Sequence, residues 1–209
     1  SSILLLALLG ALTIASFDHE SSESPEVDSL SSAESIRVIC NVTQYPATCL
    51  SSLSSSLNSS SRVDPESVLK LSLQVSIKEV NNLTAFFDTL LAQNGSNGSS
   101  GALKDCLELC GETKGKVQDS LTEMEVVAPG EKVLTPRKVN DIQTWMSAAL
   151  TDQETCLDGL LETVGGAGEG VNFFSVKSRV ENYKEVLSNS LAIVAHMDEL
   201  LEKFDLTMY

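Results

Sequence analysis

Residues 139–160, VNDIQTWMSAALTDQETCLDGL, decide the fold of this 209-residue chain. Apolar side chains recur in this stretch three, four or seven residues apart, as they do on one face of an α-helix. These side chains are Ile142, Trp145, Ala149, Cys156 and Leu160. A capping signal near Asn140-Asp141 precedes them and the glycine-rich run 165–170 follows, so the stretch predicts one long amphipathic helix.

The same periodicity predicts three more long helices. One begins at Asp64-Pro65, where an N-cap residue is followed by proline at the first helical position, and stops before the polar run 94–101. Another covers about 102–124, and the last covers about 172–204. Their apolar stripes are Leu69, Leu73, Ile77, Val80, Phe87 and Leu91; Leu103, Cys106, Cys110, Val117, Leu121 and Met124; and Val176, Val180, Tyr183, Leu187, Val194, Leu201 and Phe204.

The connecting segments complete an all-α prediction. Residues 32–57 contain two short apolar patches on either side of a Tyr45-Pro46 turn, which predicts a helical hairpin. Residues 125–138 contain Pro129-Gly130 and Thr135-Pro136 and are predicted to form a loop. No useful alternating apolar pattern predicts a strand. We therefore expect an up-down-up-down four-helix bundle over 64–205, preceded by a short disulfide-clipped helical hairpin.

The first residues predict secretion. Residues 3–15 form an uncharged apolar run of the length found in signal peptides, and it is shorter than the ~20 residues that span a bilayer. We expect 1–16 to be a signal peptide truncated at its start. Residues 17–31, acidic and rich in serine, are expected to be a mobile leader before a helical domain over 32–206.

Composition excludes several classes of function. The chain has 14 Lys+Arg against 29 Asp+Glu, a net charge of −15, which argues against nucleic-acid binding and against a polybasic membrane-surface protein. It has two histidines, His19 and His196, so zinc sites and histidine-based catalysis are poorly supplied. We expect no catalytic activity, no metal and no cofactor.

Cysteines and sequons agree with an oxidising compartment. Five N-x-Ser/Thr sequons are candidate glycosylation sites, at Asn41, Asn58, Asn82, Asn94 and Asn97. Five cysteines allow fifteen arrangements of two bridges, and counting alone does not choose among them. Cys40 and Cys49 are close enough in sequence to pair locally. Cys106 and Cys156 lie on the apolar stripes of adjacent helices, which a bridge would join; Cys110 is then a buried free thiol.

Three segments resemble one known family. They are CNVTQYPATC at 40–49, VNDIQTWMSAALTDQETCLDG at 139–159 and NSLAIV at 189–194. Together they are similar to the plant invertase and pectin methylesterase inhibitors, over residues 32 to about 204. The resemblance implies a hairpin followed by a four-helix bundle, with bridges Cys40–Cys49 and Cys106–Cys156. It also implies a secreted, non-catalytic protein of the plant cell wall that occupies the active-site cleft of a carbohydrate-acting enzyme in a 1:1 complex.

Within that family the residues favour pectin methylesterase as the target. Invertase inhibitors typically carry a Pro-Lys-Phe tripeptide where this chain has Val139-Asn140-Asp141, and Pro-Lys-Phe occurs nowhere in the sequence. Three alternatives stay open. They are the inhibitor-like pro-region of a pectin methylesterase precursor, an invertase inhibitor, and a helical ligand carrier, which would need a cavity among its helices.

A polar face of the helix at 139–160 is the candidate target-binding site. Thr151, Thr155, Asp158 and Glu162 follow one another at spacings of four, three and four, so they are expected to lie together opposite the core stripe. Thr155 and Asp158 flank Cys156, whose bridge would hold that turn still. We hypothesise that this face hydrogen-bonds the esterase near its substrate cleft, and that the negative charge attracts a basic esterase.

Overall fold

Helices account for nearly all of the residues that the computed structural model describes, which are 31–55, 63–94, 100–164 and 173–208. No strand occurs in these ranges. The helices are α1 (Ser32–Cys40), α2 (Pro46–Ser54), α3 (Pro65–Asn94), α4 (Ser100–Glu123), α5 (Pro136–Val164), α6 (Phe173–Ala195) and α7 (Met197–Lys203). The predicted all-α fold with an N-terminal helical hairpin is confirmed.

The four long helices form the predicted bundle. α3 packs against α4 and α6, and α5 packs against the same two helices, so α3 and α5 lie diagonally across the bundle. The core between them contains fully buried apolar side chains from every long helix, among them Leu73, Phe87, Leu103, Met146 and Leu187. Burying each such side chain contributes about 1.5–3 kcal/mol, which makes this interior the main source of stability.

Side-chain caps fix where α1 and α3 begin. The Ser31 hydroxyl accepts the Glu34 backbone N–H, and the Glu34 carboxylate accepts the Ser31 N–H at 3.0 Å in return. At α3 the Asp64 carboxylate accepts the Ser67 N–H at 2.8 Å, with Pro65 at the first helical position. Each cap satisfies a donor that the helix itself leaves unpaired, as the sequence pattern at Asp64-Pro65 predicts.

The start of α5 corrects the predicted loop over 125–138. The helix begins at Pro136, four residues before the expected cap near Asn140. The Thr135 hydroxyl accepts the Lys138 N–H at 3.3 Å, so Thr135-Pro136 is a cap followed by proline, the same signal that starts α3. Pro129-Gly130 does lie in the loop, where Gly130 has a φ of +83° that a residue with a side chain rarely adopts.

The last predicted helix, 172–204, is two helices. His196 interrupts it with φ −103° and ψ 19°, and its ring Nδ1 lies 3.0 Å from the carbonyl oxygen of Ala192. After the interruption α7 packs against α3 and buries Met197, Leu200 and Leu201. Packing of this last segment on α3 therefore overrides the continuous helical periodicity.

The hairpin of α1 and α2 is fastened to the bundle by polar side chains of α6. The Asn189 side-chain oxygen accepts the Tyr45 N–H at 3.1 Å, and its amide nitrogen donates to the Tyr45 carbonyl oxygen at 3.0 Å. Beside this pair the Thr48 hydroxyl donates to the Glu185 carboxylate at 2.6 Å. The hairpin turn is thus held at its backbone as well as by the Cys40–Cys49 bridge.

The predicted signal peptide, 1–16, and nearly all of the predicted leader, 17–31, lie outside the described residues; Ser31 is described as the cap of α1. Among the described helices, none is long and apolar enough to cross a bilayer.

Candidate target-binding face

The four candidate residues of α5 are all exposed, and their spacing places them on one side of the helix. The Thr155 hydroxyl donates to the carbonyl oxygen of Thr151 at 2.9 Å, and the Thr151 hydroxyl donates to that of Ser147 at 3.1 Å. Since both hydroxyl protons are used inside the helix, the threonine oxygens offer lone pairs outward. Asp158 and Glu162 add carboxylate oxygens. We call Thr151, Thr155, Asp158 and Glu162 the acceptor face.

A disulfide bridge lies directly beneath the acceptor face. Cys156, buried between Thr155 and Asp158, is bonded to Cys106 of α4, and the two Cα atoms are 4.8 Å apart. The Cys40–Cys49 bridge in the hairpin has a Cα separation of 5.7 Å. These are the two pairs that the family resemblance implies. The Cys106–Cys156 bridge fixes the turn of α5 that presents Thr155 and Asp158.

Ion pairs tie α5 to both of its neighbours. Glu154 meets Lys184 of α6 at 3.1 Å, and Asp152 meets Lys116 of α4 at 2.7 Å. Burial works against the charged form of Lys116, yet hydrogen bonds to Asp152 and Glu112 raise the pKa of that ammonium. These cross-helix pairs restrict rotation of α5 and so keep the acceptor face turned outward.

A buried polar chain continues from Asp152 into the bundle. The Thr113 hydroxyl lies 3.1 Å from the Asp152 carboxylate and accepts the Gln153 side-chain N–H at 2.8 Å. Gln153 and Thr113 are both fully buried. Because a mispaired polar group in the interior is costly, this chain specifies one rotation of α5 against α4.

Sequence reasoning missed these cross-helix partners. Lys116 and Asp152 are 36 residues apart, and nothing in their local sequence shows that they meet. The periodicity of each helix limits the candidate cross-helix partners to half-buried polar residues at the edge of its apolar stripe. No other feature of the sequence indicates which of them pair.

Cys110 is a buried free thiol. Burial, the main cause, raises the pKa of its thiol to about 12, although hydrogen bonds with Gln153 and Thr84 act in the opposite direction. A thiol that stays protonated and buried is a poor nucleophile. Cys110 therefore packs as a small apolar side chain.

The described sequon residues and His196 lie outside the acceptor face. Asn41 at the end of α1 and Asn82 on α3 are exposed. Asn58 and Asn97 lie outside the described residues, as does the side chain of Asn94. His196 is half-buried at the junction of α6 and α7. Within the described ranges no three His, Cys, Asp or Glu side chains group as metal ligands would.

Comparison with known proteins gives one family. A family model described as plant invertase/pectin methylesterase inhibitor matches residues 34–193. The chain is 39% identical over 172 residues to a protein named putative pectinesterase/pectinesterase inhibitor 26 of Arabidopsis thaliana, covering 81% of this chain and 18% of that protein. It is 35% identical over 195 residues to pectinesterase 3 of Phaseolus vulgaris, covering 90% of this chain and 32% of that protein. The chain thus spans less than a third of the length of these two relatives.

A shorter relative and a solved structure match over most of their length. Pectinesterase inhibitor 9 of Arabidopsis thaliana is 30% identical over 166 residues, which cover 77% of this chain and 78% of that protein. The crystal structure of a mutant form of a pectin methylesterase inhibitor from Arabidopsis superposes with a TM-score of 0.58 at 18% identity. It covers 77% of this chain and 95% of its own, a likeness that shows the fold.

Proposed function

Since the chain belongs to the plant invertase/pectin methylesterase inhibitor family, we propose that it binds a plant pectin methylesterase in a 1:1 complex and blocks it. The family is one of inhibitors, and the chain acts in this proposal without catalysing a reaction. The observation that carries the proposal is the acceptor face, presented by a helix that a disulfide and ion pairs hold in place. The place of action is the plant cell wall.

The chemistry of the acceptor face determines what it can bind. Thr151 and Thr155 offer hydroxyl lone pairs, while Asp158 and Glu162 offer carboxylates, so all four side chains accept hydrogen bonds. The matching surface on the esterase supplies donors, such as arginine, lysine or amide groups beside its substrate cleft. Hydrogen bonds between such donors and a carboxylate are among the stronger ones in proteins.

Preorganisation makes this face a better inhibitor than a flexible segment would be. A loop that became ordered on binding would lose conformational entropy, which reduces affinity. The Thr155 and Asp158 positions are already fixed by the Cys106–Cys156 bridge beneath them. Binding energy from the contacts is therefore retained as affinity.

The proposal is tested by titrating the purified, oxidised protein into plant pectin methylesterase and following acid release. We expect stoichiometric loss of esterase activity. A parallel titration into plant cell-wall invertase should leave that enzyme active, because the Pro-Lys-Phe tripeptide typical of invertase inhibitors is replaced here by Val139-Asn140-Asp141. Loss of invertase activity with the esterase untouched would assign the chain to invertase instead.

Substitution of the acceptor face tests where the esterase binds. We expect Asp158→Ala to weaken inhibition by about ten- to a hundredfold and Thr155→Ala by about two- to tenfold, as for lost hydrogen bonds to charged and neutral groups. The matched controls are Asp88→Ala and Thr89→Ala on the diagonal helix α3. Both residues are exposed, and the Thr89 hydroxyl donates to the Ala85 carbonyl just as Thr155 does to Thr151. If Asp88→Ala and Thr89→Ala weaken inhibition as much as Asp158→Ala and Thr155→Ala do, the esterase does not bind at the acceptor face.

A pro-region role is the second candidate function, and one observation favours it. The pectinesterases among the relatives match this chain over only 18% and 32% of their length, so the matching segment is one region of a longer protein in those cases. The complete transcript decides between the two roles. A reading frame that continues into a catalytic domain would make this bundle an intramolecular partner of its own esterase.

A further inference from the structure

A cleft lined by both polar and apolar side chains lies on the side of the bundle away from α5. It opens between α2, α3 and α6 and has a volume of about 350 Å³, toward the small end of the range for ligand-binding clefts. Because α3 and α5 are diagonal in the bundle, this cleft is remote from the acceptor face. No residue of the acceptor face lines it.

The cleft contains a sequon residue. Asn82, the first residue of Asn82-Leu83-Thr84, is exposed on α3 and lines the cleft. Its side-chain nitrogen donates to the carboxylate of Glu79, another lining residue, at 3.3 Å. The nitrogen that would carry an N-linked sugar is therefore directed at the groups of the cleft.

The lining suits a sugar ring. Sugar hydroxyls both donate and accept hydrogen bonds, and the cleft offers acceptors at Glu79 and Glu185 and donors at Arg179 and Asn182. The side chain of Asn182 is exposed and makes no hydrogen bond or ion pair among the residues that the structure describes. Leu83 and Val186 add apolar surface for the C–H groups of a pyranose.

The other described sequon lacks such surroundings. Asn41 caps the C-terminal end of α1 next to the Cys40–Cys49 bridge. Thr43, the hydroxyl residue of that sequon, is only 8% exposed. Asn41 does not line the cleft.

We propose that Asn82 carries an N-linked glycan whose first N-acetylglucosamine lies in the cleft between α2, α3 and α6. In the transfer the Asn82 amide nitrogen bonds to the anomeric carbon of a lipid-linked oligosaccharide diphosphate. The bond from that carbon to the diphosphate breaks, and an amide proton leaves to a base of the host transferase. The inference rests on the secretion that the proposed function includes. The glycan projects from α3 and leaves the acceptor face on α5 free to bind.

Site occupancy is the first test. The chain is expressed behind a secretion signal supplied by a eukaryotic host, so that failure of its own signal does not affect the result. Enzymatic deglycosylation in ¹⁸O-water, followed by peptide mass spectrometry, should show labelled aspartate at position 82. Thr84→Ala should abolish the label, whereas Thr84→Ser, which keeps the sequon, should retain it. An unlabelled Asn82 in the secreted wild-type protein overturns the proposal.

The position of the first sugar is tested by a thermal cycle. Trimming the glycan to its first N-acetylglucosamine should leave the Tm about 2–4 °C above that of the fully deglycosylated protein, as for a modest set of new contacts. Asn182→Ala should remove most of this gain while changing the Tm of the deglycosylated protein little. The control Asn140→Ala, an exposed asparagine on α5, should keep the gain. A gain unaffected by Asn182→Ala, or no gain at all, overturns placement in the cleft.

Glycosylated and deglycosylated protein should inhibit the esterase equally. If only one of the two forms inhibits, the glycan is not remote from the acceptor face.

Discussion

The side chain of Asn189 pairs with the backbone of Tyr45 as a neighbouring β-strand would. Its amide accepts the N–H and donates to the C=O of the same residue, Tyr45, which lies at the turn of the hairpin. We call these two hydrogen bonds the Asn189 clamp. An aspartate lacks the donor and a leucine lacks both groups, so the residue type is specified by the contact. Because Asn189 is 4% exposed, water has little access to replace either bond.

Asn189→Ala is expected to lower the free energy of unfolding by about 1–3 kcal/mol. Two buried hydrogen bonds are lost, and the backbone N–H and C=O of Tyr45 lose the partner that satisfied them. Urea unfolding followed by circular dichroism measures the change. Asn182→Ala, an exposed position on the same helix, serves as control and should stay within about 0.5 kcal/mol of wild type. Equal stability of the two variants would show that the clamp contributes nothing.

Cys110 gives the molecule a pH dependence in the alkaline range. Burial raises the pKa of its thiol from the ordinary 9.0 to about 12, and burial also raises the pKa of Tyr183. In the unfolded chain the thiol loses its proton above pH 9, whereas in the folded chain it keeps it. The stability linked to Cys110 is therefore complete below about pH 9 and is lost as the pH rises toward 12.

We expect the free energy of unfolding to fall by about 1.4 kcal/mol for each pH unit above 9 through this group. Comparing urea unfolding at pH 8 and pH 10 for the wild type and for Cys110→Ala isolates the contribution. The variant should lose about 1.4 kcal/mol less between the two pH values. If the free energy of unfolding falls equally with pH in both proteins, a group other than Cys110 causes the alkaline sensitivity.

The helices show how far a sequence predicts its own structure. Every residue of the stripe predicted for 172–204 is buried, although Leu201 and Phe204 lie beyond the interruption at His196. Of two neighbouring residues on α5, Met146 is fully buried, whereas Trp145, predicted to face the core, is only half-buried. The choice between these neighbours depends on how α5 rotates against α4 and α6. That rotation is set by contacts such as Lys116–Asp152, which local sequence does not reveal.

The two disulfides differ in what they stabilise. Cys106–Cys156 joins residues 50 apart on two bundle helices, whereas Cys40–Cys49 joins residues 9 apart in the hairpin. A longer closed loop restricts the unfolded chain more. We expect Cys106→Ala/Cys156→Ala to cost about 4 kcal/mol and Cys40→Ala/Cys49→Ala about 2.6 kcal/mol.

All four cysteines are almost completely buried, so each double variant is a fair control for the other. Denaturant unfolding measures both, and titration into the esterase shows whether the acceptor face survives. Losing the bundle bridge should also weaken inhibition, while losing the hairpin bridge should not. The opposite order of stabilities would mean that strain or residual structure outweighs loop length.

At the scale of the whole molecule, charge governs how the chain meets its proposed partner. A net charge of −15 produces a field that attracts a basic enzyme from beyond contact distance. The same field repels de-esterified pectin, which is anionic. Attraction of this kind accelerates encounter more than it slows dissociation.

The association rate with a basic pectin methylesterase should fall by about tenfold or more between low and high salt, because ions screen the field. Stopped-flow or surface-binding kinetics measure this, with the dissociation rate expected to change much less. Neutral sucrose at matched viscosity is the control for diffusion. An association rate independent of salt would exclude steering.

The Asn189 clamp also determines when the hairpin can dock during synthesis. It joins residues 144 positions apart, so the hairpin leaves the ribosome long before the helix that receives it. At about 5–20 residues per second the delay is roughly 7 to 30 s. During that interval the apolar side of the hairpin, including Ile36, Ile39 and Leu53, has no bundle to cover it. The hairpin is thus made well before the helix that receives it, and we expect early closure of Cys40–Cys49 to keep it folded in the meantime.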